Sequence, residues 1–193
     1  MRILKSLVAV GATLAALAGI GIAAQAAPST VDVLLHTTAG DIVVRLETAK
    51  APLTTRNFLG YVDSHAYDGG QFYRVIRSEG AHAPGVIQGG FGPQGSAKRA
   101  PIAVETTRKT GLHNVNGTIS MARTTNPVSA TSEFFICVGD DSYLDADKSA
   151  DGLGYAAFGH VVRGYDIVLK IQHAPAQGEA LTPPIKILKV RRL

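Results

Sequence analysis

Arg74 stands inside a short apolar run, Gln71-Phe72-Tyr73-Arg74-Val75-Ile76. A guanidinium keeps its charge at any working pH and carries five N–H donors in a rigid plane. At the mouth of an apolar pocket it can hold a peptide carbonyl without taking part in acid–base chemistry. Two later stretches have the residue types to build that pocket: Gly117-Thr118-Ile119-Ser120-Met121-Ala122-Arg123 and Ser132-Glu133-Phe134-Phe135-Ile136. Other chemistries lack their residue sets. The six histidines are scattered, without the spacing of metal ligands. Ser120 is not in a Gly-x-Ser-x-Gly elbow. Asp145-x-Asp147-x-Ser149-x-Asp151-Gly152 begins like a calcium loop, but Ala150 replaces the turn glycine and Ala156 the closing glutamate. A solvated acidic loop is the expectation there. Cys137, the only cysteine, sits in Phe134-Phe135-Ile136-Cys137-Val138 and reads as a buried, inert thiol.

The elements that must position these residues occupy one domain. The chain has 193 residues, 46% of them hydrophobic and 18% charged, enough for a single sizeable core. Residues 1–26 are expected to be a secretory signal peptide: Arg2 and Lys5 give a basic start, residues 7–24 are apolar, and Ala24-Gln25-Ala26 offers a cleavage site. The apolar run is near membrane-spanning length, but its glycines and the Ala-x-Ala exit favour cleavage. Without Arg2 and Lys5 the basic count falls from 19 to 17 against 15 acidic residues, a net of +2. So small a charge argues against nucleic acid as a partner. A lone cysteine allows no internal disulfide, so the domain, residues 27–193, relies on its core.

Alternating apolar residues predict a first hairpin, with strands at residues 31–37 and 42–47 around the turn at 38–41. A helix opens at Ala51-Pro52 and runs to about Ser64, with Phe58, Leu59 and Val62 on its apolar face. The Arg74 strand follows Tyr67-Asp68-Gly69-Gly70; residues 77–85 read as a loop and 86–90 as a short strand. Residues 91–116 read mostly as loop, with a further strand near 102–105. Strands are expected at 117–122, 134–138, 155–162 and 184–193, an acidic irregular segment at 140–154, and a second helix at 164–173 with Ile167, Val168 and Ile171 inward. About eight strands and two separated helices suggest a closed antiparallel sheet with a helix at each end.

Taken in order, these motifs resemble those of the cyclophilins, peptidyl-prolyl cis–trans isomerases, and most of all their periplasmic bacterial branch. The resemblance rests on Phe72-Tyr73-Arg74-Val75-Ile76, Gln88-Gly89-Gly90, the two stretches at 117–123 and 132–136, Tyr143-Leu144-Asp145 and Phe158-Gly159. It implies a closed eight-stranded antiparallel β-barrel capped by two α-helices. It implies that Arg74 is the donor that stabilises a twisted X–Pro amide. Phe135, Leu144 and Tyr155 would line the proline pocket, with Phe72 and Val86 in its walls. Gln88 would bond the substrate backbone and position Arg74, and Ala122 and Arg123 would flank the residue before the proline. No cofactor or metal is implied. The expected partners are proline-containing, unfolded exported polypeptides met in the periplasm by a monomer free of membrane and nucleic acid.

Three departures from the family pattern bear on the site. Eleven residues, 77–87, separate Ile76 from Gln88 where the pattern has five, and Gly85-Val86 replaces a Phe-Met pair, making one wall shallower. Glu133 replaces a glutamine, so a carboxylate near the cleft could pair with Arg74 or favour a basic residue beside the proline. Tyr143 replaces a tryptophan, which should weaken cyclosporin binding. These departures keep open a second reading, a catalytically weak cyclophilin-fold chaperone or proline-peptide binding module.

Overall fold

The computed structural model describes residues 29–78, 84–91 and 99–193. The expected signal peptide, residues 1–26, lies outside the described residues, as do parts of the loops expected at 77–85 and 91–116.

The described residues form nine strands and three α-helices. They are β1 (Val31–Thr37), β2 (Gly40–Leu46), α1 (Pro52–Asp63), β3 (Gln71–Arg77), β4 (Gly85–Gly90), α2 (Thr107–Thr110), β5 (Thr118–Met121), β6 (Phe134–Val138), β7 (Ala157–Arg163), α3 (Tyr165–Gln172), β8 (Ala176–Gln177) and β9 (Ala180–Arg192). The sheet runs β1-β2-β7-β5-β6-β4-β3-β9, and β9 pairs back onto β1. Eight antiparallel strands therefore close into the expected barrel, and the two-residue β8 hangs on β9 as a short hairpin.

Alternation along each strand sorts side chains to the two faces. The inward set makes one core in which Phe58 and Phe72 each meet the edge or face of Phe134, at 5.5 and 5.7 Å between ring centroids. α1 closes one end of the barrel with Phe58, Tyr61 and Val62. α3 closes the other with fully buried Val168 and Ile171; Ile167 is only partly covered, although Gly40 exists to admit it. A Cβ at Gly40 would come within 2.6 Å of the Ile167 side chain.

Residues 102–105 do not form the expected strand. Ile102 makes a single bridge to Ala130, and Glu105 turns inward instead. Its carboxylate accepts from the Leu53 and Thr54 N–H groups, at 3.1 and 2.7 Å, and from the Thr54 hydroxyl. Ala51, at the head of α1, has no side chain able to cap the helix, so the orphan amides are met by a carboxylate from 51 residues away. The last strand starts earlier than its sequence pattern suggests, at Ala180 rather than Pro184.

Candidate active site

The outer face of the barrel carries a second, smaller apolar cluster built on Val86, Phe135 and Cys137, with Ile76, Ala122, Leu144 and Tyr155 packed against it. Val86 and Gln88 point outward from β4 and Phe135 and Cys137 from β6, while their neighbours Ile87, Phe134 and Ile136 fill the core. Above this cluster lies a groove of about 120 Å³ lined by Arg74, Ile76, Val86, Gln88, Arg123, Phe135, Tyr143, Leu144 and Tyr155. That is the scale of one small ring. A larger cleft of about 440 Å³ lies beside α1, but it holds none of these residues, and its Asp63 and Arg192 already pair with each other.

Strict alternation would put Arg74 on the same face as Phe72, inside the barrel. It does not, because the register of β3 slips between Phe72 and Arg74 against both of its neighbours, β4 and β9. This bulge re-aims the strand. Phe72 stays in the core with no accessible surface, while Tyr73 and Arg74 both emerge half-buried toward the groove. Phe72 therefore supports the strand from within and does not reach the groove, which corrects its expected place in the pocket wall.

A chain of hydrogen bonds runs across the groove's polar side. Arg74 Nη1 donates to Gln88 Oε1 at 2.8 Å, and Gln88 Nε2 donates to the Tyr73 hydroxyl at 2.9 Å. Tyr73 in turn donates to Glu133 Oε2 at 2.9 Å. Burial, reinforced by the charge on Glu133, pushes the Tyr73 hydroxyl far above its ordinary pKa, so it stays a donor. Glu133 also accepts from Ser132 at 3.1 Å. Its carboxylate occupies the space over Gly90, where a Cβ would come within 2.7 Å of it. Glu133 thus does not pair with Arg74 as its sequence position suggested; it orients Gln88 through Tyr73. The carboxylate on Arg74 is Glu179, from the β8–β9 turn: Arg74 Nε donates to its Oε2 at 2.7 Å, and Nη2 lies 2.7 Å from the same oxygen.

The apolar side is held as firmly. Tyr155 is wedged between Phe135, edge to face at 5.5 Å, and the Arg123 guanidinium, 4.9 Å over its ring. Arg123 donates to the Gly154 and Thr124 carbonyls, at 2.9 and 3.0 Å, and pairs with Asp151. Its side chain is 6% exposed, so its donors serve the loop, and Arg123 meets the groove as the support of Tyr155. Ala122 packs on the cluster beside Phe135. Leu144 ends a single 3-10 turn, and the next residue, Asp145, ties it down by accepting from the Asn114 backbone and side chain, both at 2.8 Å. The aspartates of the calcium-like run face apart: Asp145 toward Asn114, Asp147 toward Arg108 and Asp151 toward Arg123. Among the described residues no three groups converge as a metal site. Under the floor, burial and neighbouring Asp141 push the Cys137 thiol well up, keeping it protonated.

The structure thus gathers Arg74, Val86, Gln88, Arg123, Phe135, Leu144 and Tyr155 around one groove, with Ala122 and Glu133 behind it. The sequence reading missed Tyr73, the bridge between Gln88 and Glu133, and Glu179. Tyr73 was within sight as the neighbour of Arg74; nothing in the sequence connects Glu179 to an arginine 105 residues away.

Residues 31–192 match the family model described as cyclophilin type peptidyl-prolyl cis-trans isomerase/CLD. A peptidyl-prolyl cis-trans isomerase of Acinetobacter baylyi is 38% identical over 181 residues, covering 91% of this chain and 92% of that protein. Peptidyl-prolyl cis-trans isomerase B of Escherichia coli is 41% identical over 142 residues, 72% of this chain and 83% of that protein. In shape the chain is similar to the crystal structure of a Cryptosporidium parvum cyclophilin type isomerase, with a TM-score of 0.71 at 21% identity, covering 85% of this chain and 98% of that one. A second crystal structure of that protein, in the presence of the dipeptide Ala-Pro, gives a TM-score of 0.69 at 22% identity, over 83% of this chain and 97% of that one.

Proposed function

The chain belongs to the cyclophilin-type peptidyl-prolyl cis-trans isomerase family, and on that premise we propose that the outer groove is where it turns X–Pro bonds, with Arg74 as the catalytic donor. Amide resonance sets a barrier of about 20 kcal/mol and a turnover of tens of seconds for such a bond. Lowering it needs no nucleophile. The twisted amide loses conjugation, so its nitrogen becomes pyramidal and its carbonyl more ketone-like. Donors fixed before the bond turns stabilise that form more than the planar one. The apolar wall of Val86, Phe135, Leu144 and Tyr155 would take the proline ring. Arg74 commits Nε and one N–H of Nη2 to Glu179 and one N–H of Nη1 to Gln88, which leaves one N–H on each terminal nitrogen for the amide.

The observation that carries this reading is the guanidinium held at 2.8 Å by Gln88 on the rim of a groove whose opposite wall is apolar. Isomerisation of X–Pro peptides by the protein and by Arg74→Ala tests it. The expected result is a large acceleration that the substitution reduces at least about a hundredfold, the scale of losing a preorganised donor. An undiminished rate in Arg74→Ala would remove the arginine from the mechanism. No acceleration at all from a folded protein would leave the groove as a proline-peptide binding site.

The substrates we infer are proline-containing segments of exported chains that have not finished folding. The basic start, the apolar residues 7–24 and Ala24-Gln25-Ala26 support export to the periplasm. Cell fractionation with sequencing of the mature N-terminus should find the protein in the periplasmic fraction, beginning at Ala27.

A further inference from the structure

Glu179 touches the proposed catalytic group, yet it comes from the far end of the chain. It follows Gly178 in the turn between β8 and β9, and its position is set by backbone bonds. Its carbonyl accepts from the Val75 N–H at 2.8 Å, and the next residue, Ala180, stands opposite Arg74 in the β3–β9 register. The approach to the hairpin is fastened to β3 as well. Arg77 donates to the Gln172 and Ala174 carbonyls, each at 2.6 Å, and Gln172 Nε2 returns a bond to the Ile76 carbonyl at 2.7 Å. Thr182 N–H closes the hairpin's base on the Pro175 carbonyl at 2.9 Å. The Glu179 side chain is 55% exposed, but the backbone that carries it is fixed at Arg74.

The sheet order places β3 between β4 and β9. Gln88 therefore reaches Arg74 from one flank and Glu179 from the other. A guanidinium is planar, so contacts to Nη1 from one side and to Nε and Nη2 from the other fix both its plane and its rotation. With only one of them, an arginine side chain 40% exposed would be free to swing toward solvent.

We propose that Glu179 is a positioning residue for isomerisation: it holds the Arg74 guanidinium in the orientation that aims its remaining N–H groups at the twisted amide. This rests on the reading of Arg74 as the donor. What matters is an acceptor at that place, so a neutral one will serve. Glu179→Gln keeps an oxygen there, and Glu179→Ala removes it.

The test compares kcat/KM on one X–Pro peptide for the protein, Glu179→Ala, Glu179→Gln and Arg74→Ala, alongside the ¹⁵N spectrum of the arginine Nε–H groups. The expected loss in Glu179→Ala is about tenfold, within the hundredfold that a 1 Å misplacement can cost. The Arg74 Nε–H signal, assigned by its absence from Arg74→Ala, should be visible in the parent and broadened away in Glu179→Ala. Glu179→Gln should recover the rate to within about threefold and restore the signal. A fold defect would lower the melting temperature and leave the glutamine variant no better than alanine. The proposal is overturned if Glu179→Ala runs at the parent rate or faster while Arg74→Ala is inactive, since the arginine then needs no holding. If Arg74→Ala itself keeps full activity, the reading of the donor falls, and the role of Glu179 with it.

Discussion

At Tyr73 a single oxygen carries two bonds, accepting from Gln88 and donating to Glu133. Tyr73→Phe leaves the Gln88 amide without its acceptor and takes one donor from half-buried Glu133, which keeps its bond from Ser132. We expect kcat/KM to fall three- to tenfold and stability by about 1–2 kcal/mol, the usual cost of stranding buried polar groups. Peptide isomerisation and urea denaturation measure the two; an unchanged rate would mean that Gln88 keeps its orientation unaided. Glu133→Gln, by contrast, still offers Tyr73 an oxygen. It should leave the substrate preference as it is, because the charge it removes faces a phenol and not the groove. The family motifs made Gln88 and Arg74 legible as a pair. They left Glu133 facing the wrong partner, because its distance to Arg74 depends on how β3 and β6 sit across β4, and no local pattern encodes that.

The elements were legible wherever alternation is regular. β1 begins and ends where its apolar residues predict, and β6 likewise. β3 was legible as a strand but not in its facing, since a one-residue bulge against β4 turns Tyr73 and Arg74 outward together and keeps Phe72 in the core. That bulge depends on the register β3 takes against β4, the next strand, and against β9, more than a hundred residues away. The apolar residues at 102–105 satisfy a strand pattern equally well, but Glu105 is drawn away to the uncapped head of α1. This gives a prediction at the scale of the helix. Glu105→Gln presents an amide where two backbone N–H groups need acceptors, so it should cost about 2–3 kcal/mol of stability. Denaturation by urea should show the loss, with kcat/KM per folded molecule unchanged because the groove lies elsewhere. Equal stability of the two proteins would show that water can cap α1 as well.

For the molecule as a whole, the buried carboxyl of Asp141 bears on folding. It is fully buried, and neither carboxylate oxygen has a hydrogen bond of ordinary geometry. Burial pushes its pKa from 3.8 up to about 6, against weaker opposing pulls from the Cys137 thiol, the Val138 N–H and the Tyr143 hydroxyl. Below about pH 3 the group is protonated folded or unfolded and its ionisation adds no cost. As pH rises the unfolded chain ionises first, so stability falls until about pH 6 and stays lower above it. Two pKa units correspond to about 3 kcal/mol at most. Asp141→Asn should therefore gain stability over the parent as pH rises from 3 to 7. Parallel denaturation curves across that range would show the carboxyl to be ionised in the folded state throughout. The closure of β9 onto β1 has a consequence of another kind. An unpaired strand edge is a template for any extended chain that drifts against it. Here every barrel strand has a neighbour on both sides, and among the described residues only two-residue β8 has an open flank. A folding catalyst works in a crowd of half-made sheets. Acting on the unfinished chains proposed above, this protein would turn their prolines without offering them a strand to join.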